Sequence, residues 1–367
     1  MSGMIVLGAD ESTEWLSVLD RSAQYDFYHL PQYQTMTQQS EGGAPHLFAH
    51  TEGDYVVAVP LILREVGTVS GLAECGVGHR DATSAYGYMG PVSSHADVPL
   101  AIVRNFHAAL EQQMRERAVI AVFSRLNPLI PQMHLLEGTG ETTVVGQTIS
   151  MDLTLPPALQ YAAYRKNHKH GINKLKRHGV SCLHDGGWAH LSDFLDMYYE
   201  TMRRVGASDE YFYDPEYFDR LPSLEPYVHL FICHFQDQAI CGGLFTLCNG
   251  IVEFHLGATR SDFVELSPSK LLFDVVRIWA SEQGAHTFHL GGGTGKPMDS
   301  LFHFKAGFSD RRHDFAIWRW TPRPDVYGML CKERARWNAA NQLRALSAGF
   351  YPAYRCSTAP LHEFTAT

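Results

Sequence analysis

The order of apolar segments in the C-terminal half constrains the fold more than any other feature of this sequence. Three apolar runs are separated only by short polar turns, and they lie at 228–234, 239–247 and 251–256. Such runs predict three antiparallel strands in a meander. A helix is predicted next, with Ser267 as its N-cap, Pro268 at its first position and apolar residues at helical spacing until Gly284. A buried strand at 286–290 then runs directly into three glycines.

The N-terminal half repeats this order of elements more weakly. Two strands, a helix and a further strand are predicted in succession, at 46–50, 55–63, 100–117 and 119–123. A strand at 144–155 leads from one half to the other, and two prolines follow it. Two copies of one unit explain the pattern most economically. We therefore predict two domains, 1–155 and 156–325, followed by a C-terminal helix and tail over 326–367 in which the helical pattern covers 326–348.

Composition supports a globular protein and excludes several classes. The chain has 367 residues, of which 45% are hydrophobic and 19% charged, so it can bury two cores. The net charge of −9 argues against coating nucleic acid or anionic membrane through bulk charge, so any such contact is local. Seven scattered cysteines contain no C-x-x-C pair, which favours reduced thiols over disulfides or a zinc knuckle. We expect a cytoplasmic protein that is neither exported nor membrane-inserted.

One segment is strongly basic against this acidic background. Six positive charges fall within thirteen residues that contain no acid: Arg165, Lys166, Lys169, Lys174, Lys176 and Arg177. His168, His170 and His178 lie among and beside them. The run can contact the phosphates of a nucleic acid, or it can be the solvated face of a helix.

Several chemistries are excluded by their missing motifs. The run GGGTGK at 291–296 is not a phosphate loop, because Pro297 replaces the required Ser or Thr. Neither a dinucleotide fingerprint that opens a helix, nor a nucleophile elbow, nor an H-E-x-x-H helix occurs. The closest histidine pairs, 168 with 170 and 286 with 289, have no carboxylate or cysteine near them in the sequence, so we expect surface or core histidines and no metal.

The strongest constellation of residues lies between Leu290 and Phe308. Three glycines, Gly291, Gly292 and Gly293, follow the buried strand and can expose main-chain N–H groups to a carbonyl or an anion. Asp299 can cap the next turn, and three phenylalanines surround Lys305 in the sequence. Burying a cation among apolar side chains costs free energy, so such a cation is expected to have a charged or hydrogen-bonding partner or a function. The alternative interpretation is a lysine that extends to solvent from a helix edge, beside glycines that only form a tight turn.

These residues, taken together, resemble the FemABX-like acyltransferases. The resemblance rests on GGG-x5-D-SLFHFKAGFS, SPSKLLFDVVRIWASEQGAHTFHLGGG, YRKNHKHGINKLKRHGV, DFYHLPQY, SAYGYMGP and SRLNPL, in this family's order, over about 26–327. It implies an α/β (α+β) fold class with two tandem GNAT-like domains, each a mixed, largely antiparallel sheet flanked by helices. It also implies amide formation without a metal or other cofactor, with aminoacyl-tRNA as the usual acyl donor, and it places Lys305 of the Phe304-Lys305 pair at the transfer site.

The chemistry of aminolysis agrees with this implication. An amine that attacks an activated ester needs alignment and stabilisation of the developing oxyanion, and it needs no covalent nucleophile. A positioned cation of this kind contributes roughly 3–4 kcal/mol to lowering the barrier. We therefore expect Lys305, Phe304 and Asp299 to form the catalytic site, and the three glycines to bind substrate.

Departures from the family's pattern bear on the acceptor. The members that modify muropeptide precursors are expected to have an arginine before the tyrosine at 217 and a lysine near 36, and neither is present here. The acceptor is then an amino sugar or another amine-bearing precursor of the cell envelope or of secondary metabolism. Candidate acceptor contacts are Tyr86, Tyr88, Arg125 and Arg260. Each has a structural alternative: core packing for the tyrosines, a carboxylate pair for Arg125 and a helix cap for Arg260.

The donor is inferred from a missing loop. Acyl-CoA enzymes of this fold grip pyrophosphate with [RQ]-x-x-G-x-[GA] before a helix, and this chain has that loop neither before 100 nor before 268. Aminoacyl-tRNA is thus the favoured co-substrate, with the basic run 165–177 as its candidate contact. An acyl-CoA or acyl-carrier donor bound in another way stays open, and so does a non-catalytic binding protein that keeps the twin-domain architecture.

Overall fold

The computed structural model describes residues 3–293, 299–347 and 349–356. Its strands are β1 Gly3–Gly8, β2 Ala44–Glu52, β3 Tyr55–Glu65, β4 Arg80–Thr83, β5 Val92–Ser93, β6 Val119–Arg125, β7 Glu141–Asp152, β8 Ser181–His184, β9 Val228–Phe235, β10 Gln238–Cys248, β11 Ile251–Thr259, β12 Thr287–Gly291 and β13 Arg312–Trp320. Its α-helices are α1 Ser12–Asp20, α2 Pro31–Glu41, α3 Leu100–Glu116, α4 Pro157–Ala162, α5 Lys166–Arg177, α6 Leu191–Val205, α7 Pro215–Arg220, α8 Ser269–Glu282, α9 Ser300–Lys305 and α10 Pro324–Ala340.

The chain divides into two compact units. Unit 1 contains Met1–Val144 and Ala316–Thr367, and unit 2 contains Val145–Phe315. These limits differ from the domains predicted at 1–155, 156–325 and 326–367. The difference arises because both crossings between the units lie inside strands, β7 and β13, where hydrogen-bonded pairing rather than a proline-rich linker decides the limit.

Unit 1 is built on one mixed sheet. Its strands follow the order β1-β2-β3-β4-β6-β13, with β4 and β6 parallel and the other pairs antiparallel, and β5 pairs with β3. Adjacent residues of β6 contribute to different cores: Val122 packs in the cluster that contains α3, and Ala121 packs in the cluster that contains α10. Because successive strand residues point to opposite faces, helices cover both faces of this sheet.

The C-terminal segment folds back onto unit 1. Tyr354 is fully buried and donates a hydrogen bond of 2.9 Å to Asp81, a buried carboxylate that also pairs with Arg64 and Arg355. The sequence pattern did not predict this attachment, because the tail has no periodic apolar pattern. Its aromatic and basic residues are instead held by one carboxylate far away in the sequence.

Helix α10 is shorter than its sequence pattern predicted. The pattern extended to 348, which lies outside the described residues, whereas the helix already ends at Ala340. Gln342 adopts a left-handed backbone with φ of 57°, and the N–H of Leu343 donates to Asn338 O. This is a Schellman-type end, which satisfies the last carbonyl groups of a helix and reverses the chain.

The strands of unit 2 also form mixed β-structure, in the order β7-β12-β11-β10-β9-β8. Strands β11 and β12 are parallel and the other pairs are antiparallel. Gly242 and Gly243 are neighbours on β10, and the first faces Phe194 of α6 while the second faces Leu272 of α8. Helices α6 and α8 therefore lie on opposite faces, and α5 packs beside α8.

The predicted repeat appears as the same succession of elements in the two units. In unit 1, β3 and β4 are antiparallel, α3 follows, and β6 returns parallel to β4. In unit 2, β10 and β11 are antiparallel, α8 follows, and β12 returns parallel to β11. The predicted fold class, an α/β fold of two GNAT-like units with mixed, largely antiparallel strands flanked by helices, is confirmed.

The start of α8 differs from its prediction. Ser267 is not the N-cap: it has a left-handed backbone with φ of 51° and ends a short 3-10 helix, while Pro268 occupies the N-cap position. The missing N–H of proline makes it equally suited to this place, since the first N–H groups of a helix have no intrahelical partner.

Candidate active site

Lys305 is the last residue of the short helix α9. Asp299 precedes this helix as its N-cap, and its carboxylate accepts a hydrogen bond of 2.8 Å from the N–H of Phe302. An N-cap carboxylate also suits the positive end of a helix. The cap fixes where α9 begins, and the length of the helix then turns Lys305 toward the interior of unit 2.

The ammonium group of Lys305 lies in a largely enclosed site. The residue is 5% exposed, and its Nζ donates a hydrogen bond of 2.7 Å to Gly292 O. Nζ also lies 5.3 Å from the centroid of the Phe254 ring. The facing ring therefore comes from β11, and not only from the phenylalanines that surround Lys305 in the sequence.

Burial controls the charge of this lysine. Loss of solvation lowers the pKa of Lys305 from 10.5 to about 8, while the negative charges of Asp299 and then Glu253 raise it. The direction follows from the cost of a cation in a medium of low polarity. Lys305 is thus mostly cationic at neutral pH, but its charge can be lost within a range that an enzyme uses.

A buried histidine and glutamate lie next to this site on the neighbouring strands. His289 Nδ1 is 2.6 Å from Glu253 Oε2, and both side chains are fully buried. The two residues are paired in register between the parallel strands β11 and β12. The sequence showed no carboxylate close to His289, and this conclusion is corrected here because strand pairing brings Glu253 beside it. The signal available in the sequence was Glu253 itself, a charged residue inside an apolar strand.

A β-bulge interrupts β11 directly after Phe254. The pairing with β10 passes from Leu244–Leu256 to Phe245–Phe254, so His255 is the extra residue. Its Nε2 lies 2.6 Å from the hydroxyl oxygen of Tyr217, within hydrogen-bonding distance, and burial lowers the pKa of His255 to about 4. Sequence reasoning did not identify this neutral histidine and its tyrosine partner, because a bulge leaves no local signature.

The glycine segment approaches other backbone and side-chain atoms closely. Gly291 has φ of 75° and ends β12, which only glycine adopts readily. A Cβ atom on Gly293 would lie 2.4 Å from Asp299 Oδ1, so the glycine allows the capping carboxylate to sit against the loop. The rest of the predicted GGGTGK run, 294–296, lies outside the described residues.

Phe304 has its side chain on the core side of α9. Its ring packs 5.3 Å from the His168 ring and 5.9 Å from the Phe273 ring. Burial lowers the pKa of His168 to about 4, and His168 Nε2 lies 3.0 Å from Phe304 O, to which the neutral ring can donate. Among the predicted site residues, Lys305, Asp299 and the glycines lie together, while Phe304 connects α9 to α5.

The other predicted acceptor contacts lie in different surroundings. Tyr86 and Tyr88 belong to unit 1, where Tyr86 O accepts a hydrogen bond of 2.9 Å from the Tyr33 hydroxyl. The guanidinium of Arg125, also in unit 1, lies over the Phe123 ring at 5.4 Å. Arg260 is in unit 2, where its Nε donates to Ala239 O at 2.7 Å and its guanidinium lies 3.6 Å from Asp193. The roles predicted for these residues stay predictions.

The six cations of the basic run lie at the start of α5 and along it, and three of them are held by the protein. Arg165 donates to His303 O on α9, Lys169 donates to Ala162 O at 2.7 Å, and Lys176 pairs with Asp274 at 3.2 Å. The other three, Lys166, Lys174 and Arg177, form no ion pair with any described residue, and they are exposed, as Lys176 also is.

Two further observations cover the described ranges only. Within 3–293, 299–347 and 349–356, no group of three or more His, Cys, Asp or Glu side chains is placed to hold a metal ion. The helices of the same ranges are all too short or too polar to cross a bilayer.

One family model matches a part of the chain that lies within unit 2. Residues 162–305, which include α5, the meander and Lys305, match the family model of the acetyltransferase (GNAT) domain. No curated protein sequence matches the chain significantly. Unit 2 therefore contains a GNAT-type acyltransferase domain.

Several solved structures share the fold over most of this chain. The crystal structure of FemX superposes with a TM-score of 0.65 at 12% identity and covers 87% of this chain and 98% of its own. The C-terminal domain of a putative lysylphosphatidylglycerol synthetase from Agrobacterium fabrum gives 0.52 at 12% identity, covering 87% and 93%. L-PGS from Bacillus licheniformis gives 0.52 at 12% identity, covering 88% and 96%. In fold, the chain is similar to FemX and to these two proteins.

Proposed function

We propose that this protein moves an aminoacyl group from aminoacyl-tRNA to an amine on a cell-envelope or secondary-metabolite precursor. The reaction forms an amide and needs no bound metal or cofactor. One observation carries the proposal: the ammonium of Lys305 is buried, points at the glycine segment after β12, and has a pKa lowered only to about 8. A buried cation beside a bend of exposed main chain is suited to a carbonyl that gains negative charge.

In the proposed step, the acceptor amine attacks the ester carbonyl carbon of the donor. The new C–N bond forms, the ester C–O bond breaks, the amine loses a proton, and the ribose oxygen that leaves gains one. An ammonium has three donors, and Gly292 O takes one, so Lys305 has two N–H groups to offer the tetrahedral oxyanion. The enclosed site strengthens this interaction because little water competes with it.

Backbone geometry at the start of α8 supports an RNA-linked donor over acyl-CoA. The N–H groups of Lys270 and Leu271 already donate to Ser267 O and Pro268 O, and Pro268 itself has no N–H. A helix start whose N–H groups are used internally is poorly prepared to bind a pyrophosphate. The matched family model is nevertheless an acetyltransferase domain, and this observation keeps acyl-CoA as the second candidate donor.

The acceptor is proposed from the aromatic surroundings of the β11 bulge. Tyr213 occupies the position where a phosphate-binding arginine is expected in muropeptide-modifying relatives, and its ring stacks on Tyr217 at 4.4 Å. Aromatic faces suit the apolar face of a sugar ring, whereas a phosphate needs cations. An amino sugar or a similar uncharged amine is therefore the acceptor that we propose.

The catalytic role is tested with Lys305→Met, assayed by amide formation with a defined donor and acceptor. We expect turnover to fall about 10²- to 10³-fold, since a positioned oxyanion donor is worth about that much. Lys332→Met is the matched control, because Lys332 is exposed on α10 in unit 1. A Lys305→Met enzyme that keeps the wild-type rate would show that the lysine is only structural.

The donor is tested by treating a coupled extract with RNase before the assay. We expect product formation to stop and to return when RNase is inhibited and purified aminoacyl-tRNA is added. Product that survives RNase but requires acyl-CoA would assign the second candidate donor instead.

A further inference from the structure

Helix α5 carries cations on two distinct flanks. We define the outer stripe as the exposed residues Lys166, His170, Lys174, Arg177 and His178. At about 100° per residue, the three cations of this stripe fall within about 80° of one another around the helix axis. They lie opposite the residues that anchor the helix, His168, Ile172 and Leu175, which are buried.

The remaining cations of the basic run lie on the flank between the outer stripe and the buried face. Arg165, Lys169 and Lys176 are the three that bind His303 O, Ala162 O and Asp274. Lys166, Lys174 and Arg177, in contrast, form no ion pair with any residue of the described ranges. The helix thus separates cations that stabilise the protein from cations that are available to a partner.

The outer stripe has the shape and chemistry of a phosphate-binding surface. Its cations recur at intervals of three to eight residues and extend over about 17 Å along the helix. An open depression of about 520 Å³ is lined by His170, Lys174, Arg177 and His178. Cations interspersed with other hydrogen-bonding side chains are the groups that contact nucleic-acid phosphates.

A membrane surface fits the same helix less well. Helices that lie on anionic bilayers insert apolar side chains beside their basic residues. The apolar residues of α5, Ile172 and Leu175, are instead buried in the core of unit 2. The outer stripe offers charge and hydrogen bonds without an apolar surface to insert, which favours RNA.

The position of α5 also suits the binding of a donor whose acyl group reacts near Lys305. The buried face of α5 contacts α9: His168 Nε2 lies 3.0 Å from Phe304 O, and the N–H of Arg165 donates to Gly307 O at 2.8 Å. A donor held on the outer stripe is therefore bound to the same pair of helices that positions Lys305.

We propose that the outer stripe of α5, and not the whole basic run, binds the phosphate backbone of the RNA that carries the acyl group. This proposal rests on the proposed function for the identity of the RNA. The binding surface itself is assigned by the separation between cations that are bound within the protein and exposed cations that form no ion pair among the described residues.

The experiment measures binding of the full-length protein to deacylated tRNA over a series of salt concentrations. The stripe variant combines Lys166→Gln, Lys174→Gln and Arg177→Gln. The control variant combines Arg104→Gln, Lys332→Gln and Arg336→Gln, three exposed cations on α3 and α10, so the net charge changes equally. Thermal unfolding of both variants confirms that they fold. Vesicles of phosphatidylglycerol and phosphatidylcholine serve as the alternative anionic surface.

We expect the stripe variant to bind tRNA about ten- to hundred-fold more weakly at low salt, and the slope of log K against log salt to become shallower by about 2. The control variant should bind like the wild type. Equal losses in both variants, tRNA binding unchanged in the stripe variant, or stripe-dependent binding to vesicles without binding to tRNA would each overturn the proposal.

Failure of the proposed function has a separate readout. Lys305→Met should bind tRNA like the wild type while it loses turnover, because Lys305 is buried away from the outer stripe. Unchanged turnover in Lys305→Met contradicts the proposed chemistry, whereas unchanged tRNA binding in the stripe variant contradicts the surface.

Discussion

Unit 2 buries two cations in opposite ways. Arg277 on α8 is 3% exposed, and its guanidinium donates to Tyr164 at 2.8 Å, Gln160 at 2.9 Å and Asp274 at 3.0 Å. Lys305 is 5% exposed, and its charge has one hydrogen bond, to Gly292 O, and no ion pair among the described residues.

The difference separates a structural charge from a reactive one. Arg277 has a carboxylate at hydrogen-bonding distance and partners for its rigid fork of donors, so its charge is neutralised and its position fixed. It ties α8 to the segment that contains α4. The negative charges that act on Lys305, those of Asp299 and Glu253, are not in direct contact with its ammonium group. The ammonium therefore keeps N–H groups for a substrate, but its burial lowers the stability of the fold.

Removing the guanidinium group of Arg277 should have the largest effect on the free energy of unfolding. We expect Arg277→Met to lower the free energy of unfolding by about 3–5 kcal/mol, because Asp274 stays buried without its closest partner. Denaturant unfolding measures this loss. Turnover per folded molecule should change little. The control is Arg104→Met on the exposed face of α3, which should stay within about 0.5 kcal/mol of the wild type. A loss equal to the control would mean that Arg277 does not hold α8.

Removing the charge of Lys305 should raise the free energy of unfolding at neutral pH, whereas removing Arg277 should lower it. A folded-state pKa of about 8 against 10.5 means that the unfolded chain binds the proton of Lys305 more tightly. Its burial therefore costs stability, of order 3 kcal/mol, at pH values below 8, and the cost disappears as pH rises from 8 to 10.5. We expect Lys305→Met to be more stable than the wild type at pH 7 by up to about this amount, and the gain to vanish at high pH. A less stable variant at pH 7 would contradict the lowered pKa.

The smallest expected effect is a shift in the pH dependence of turnover. Activity should fall above about pH 8 as Lys305 loses its proton, by about tenfold per pH unit. Asp299→Asn keeps an oxygen to cap α9 but removes the charge that raises this pKa most. In this variant, the fall in turnover at high pH should begin at a pH lower by up to about one unit.

Glu253→Gln is the matched second variant for this shift. Glu253→Gln should also lower the pH at which turnover begins to fall, but by a smaller amount, because Glu253 raises the pKa of Lys305 less than Asp299 does. If neither variant shifts the pH at which turnover falls, the loss of activity at high pH is caused by a group other than Lys305.

The sequence determined the elements whose pattern is local. The meander of three strands, the helix that follows it and the strand that ends in glycines need only the spacing of apolar residues and turn residues, and all were predicted close to their observed limits. Lys305 was identified as a candidate for the same reason, since a charge in an apolar segment is visible in the sequence itself.

Tertiary structure alone decided which groups meet. The register of parallel strands placed Glu253 beside His289, and a bulge turned His255 toward Tyr217. The packing of α5 divided one basic run into cations that are bound within the protein and cations without an ion pair among the described residues. Tertiary structure also attached the C-terminal segment to Asp81. The physical reason is that local patterns are set by the geometry of a few residues, whereas strand register and helix packing depend on residues that are far apart in the chain.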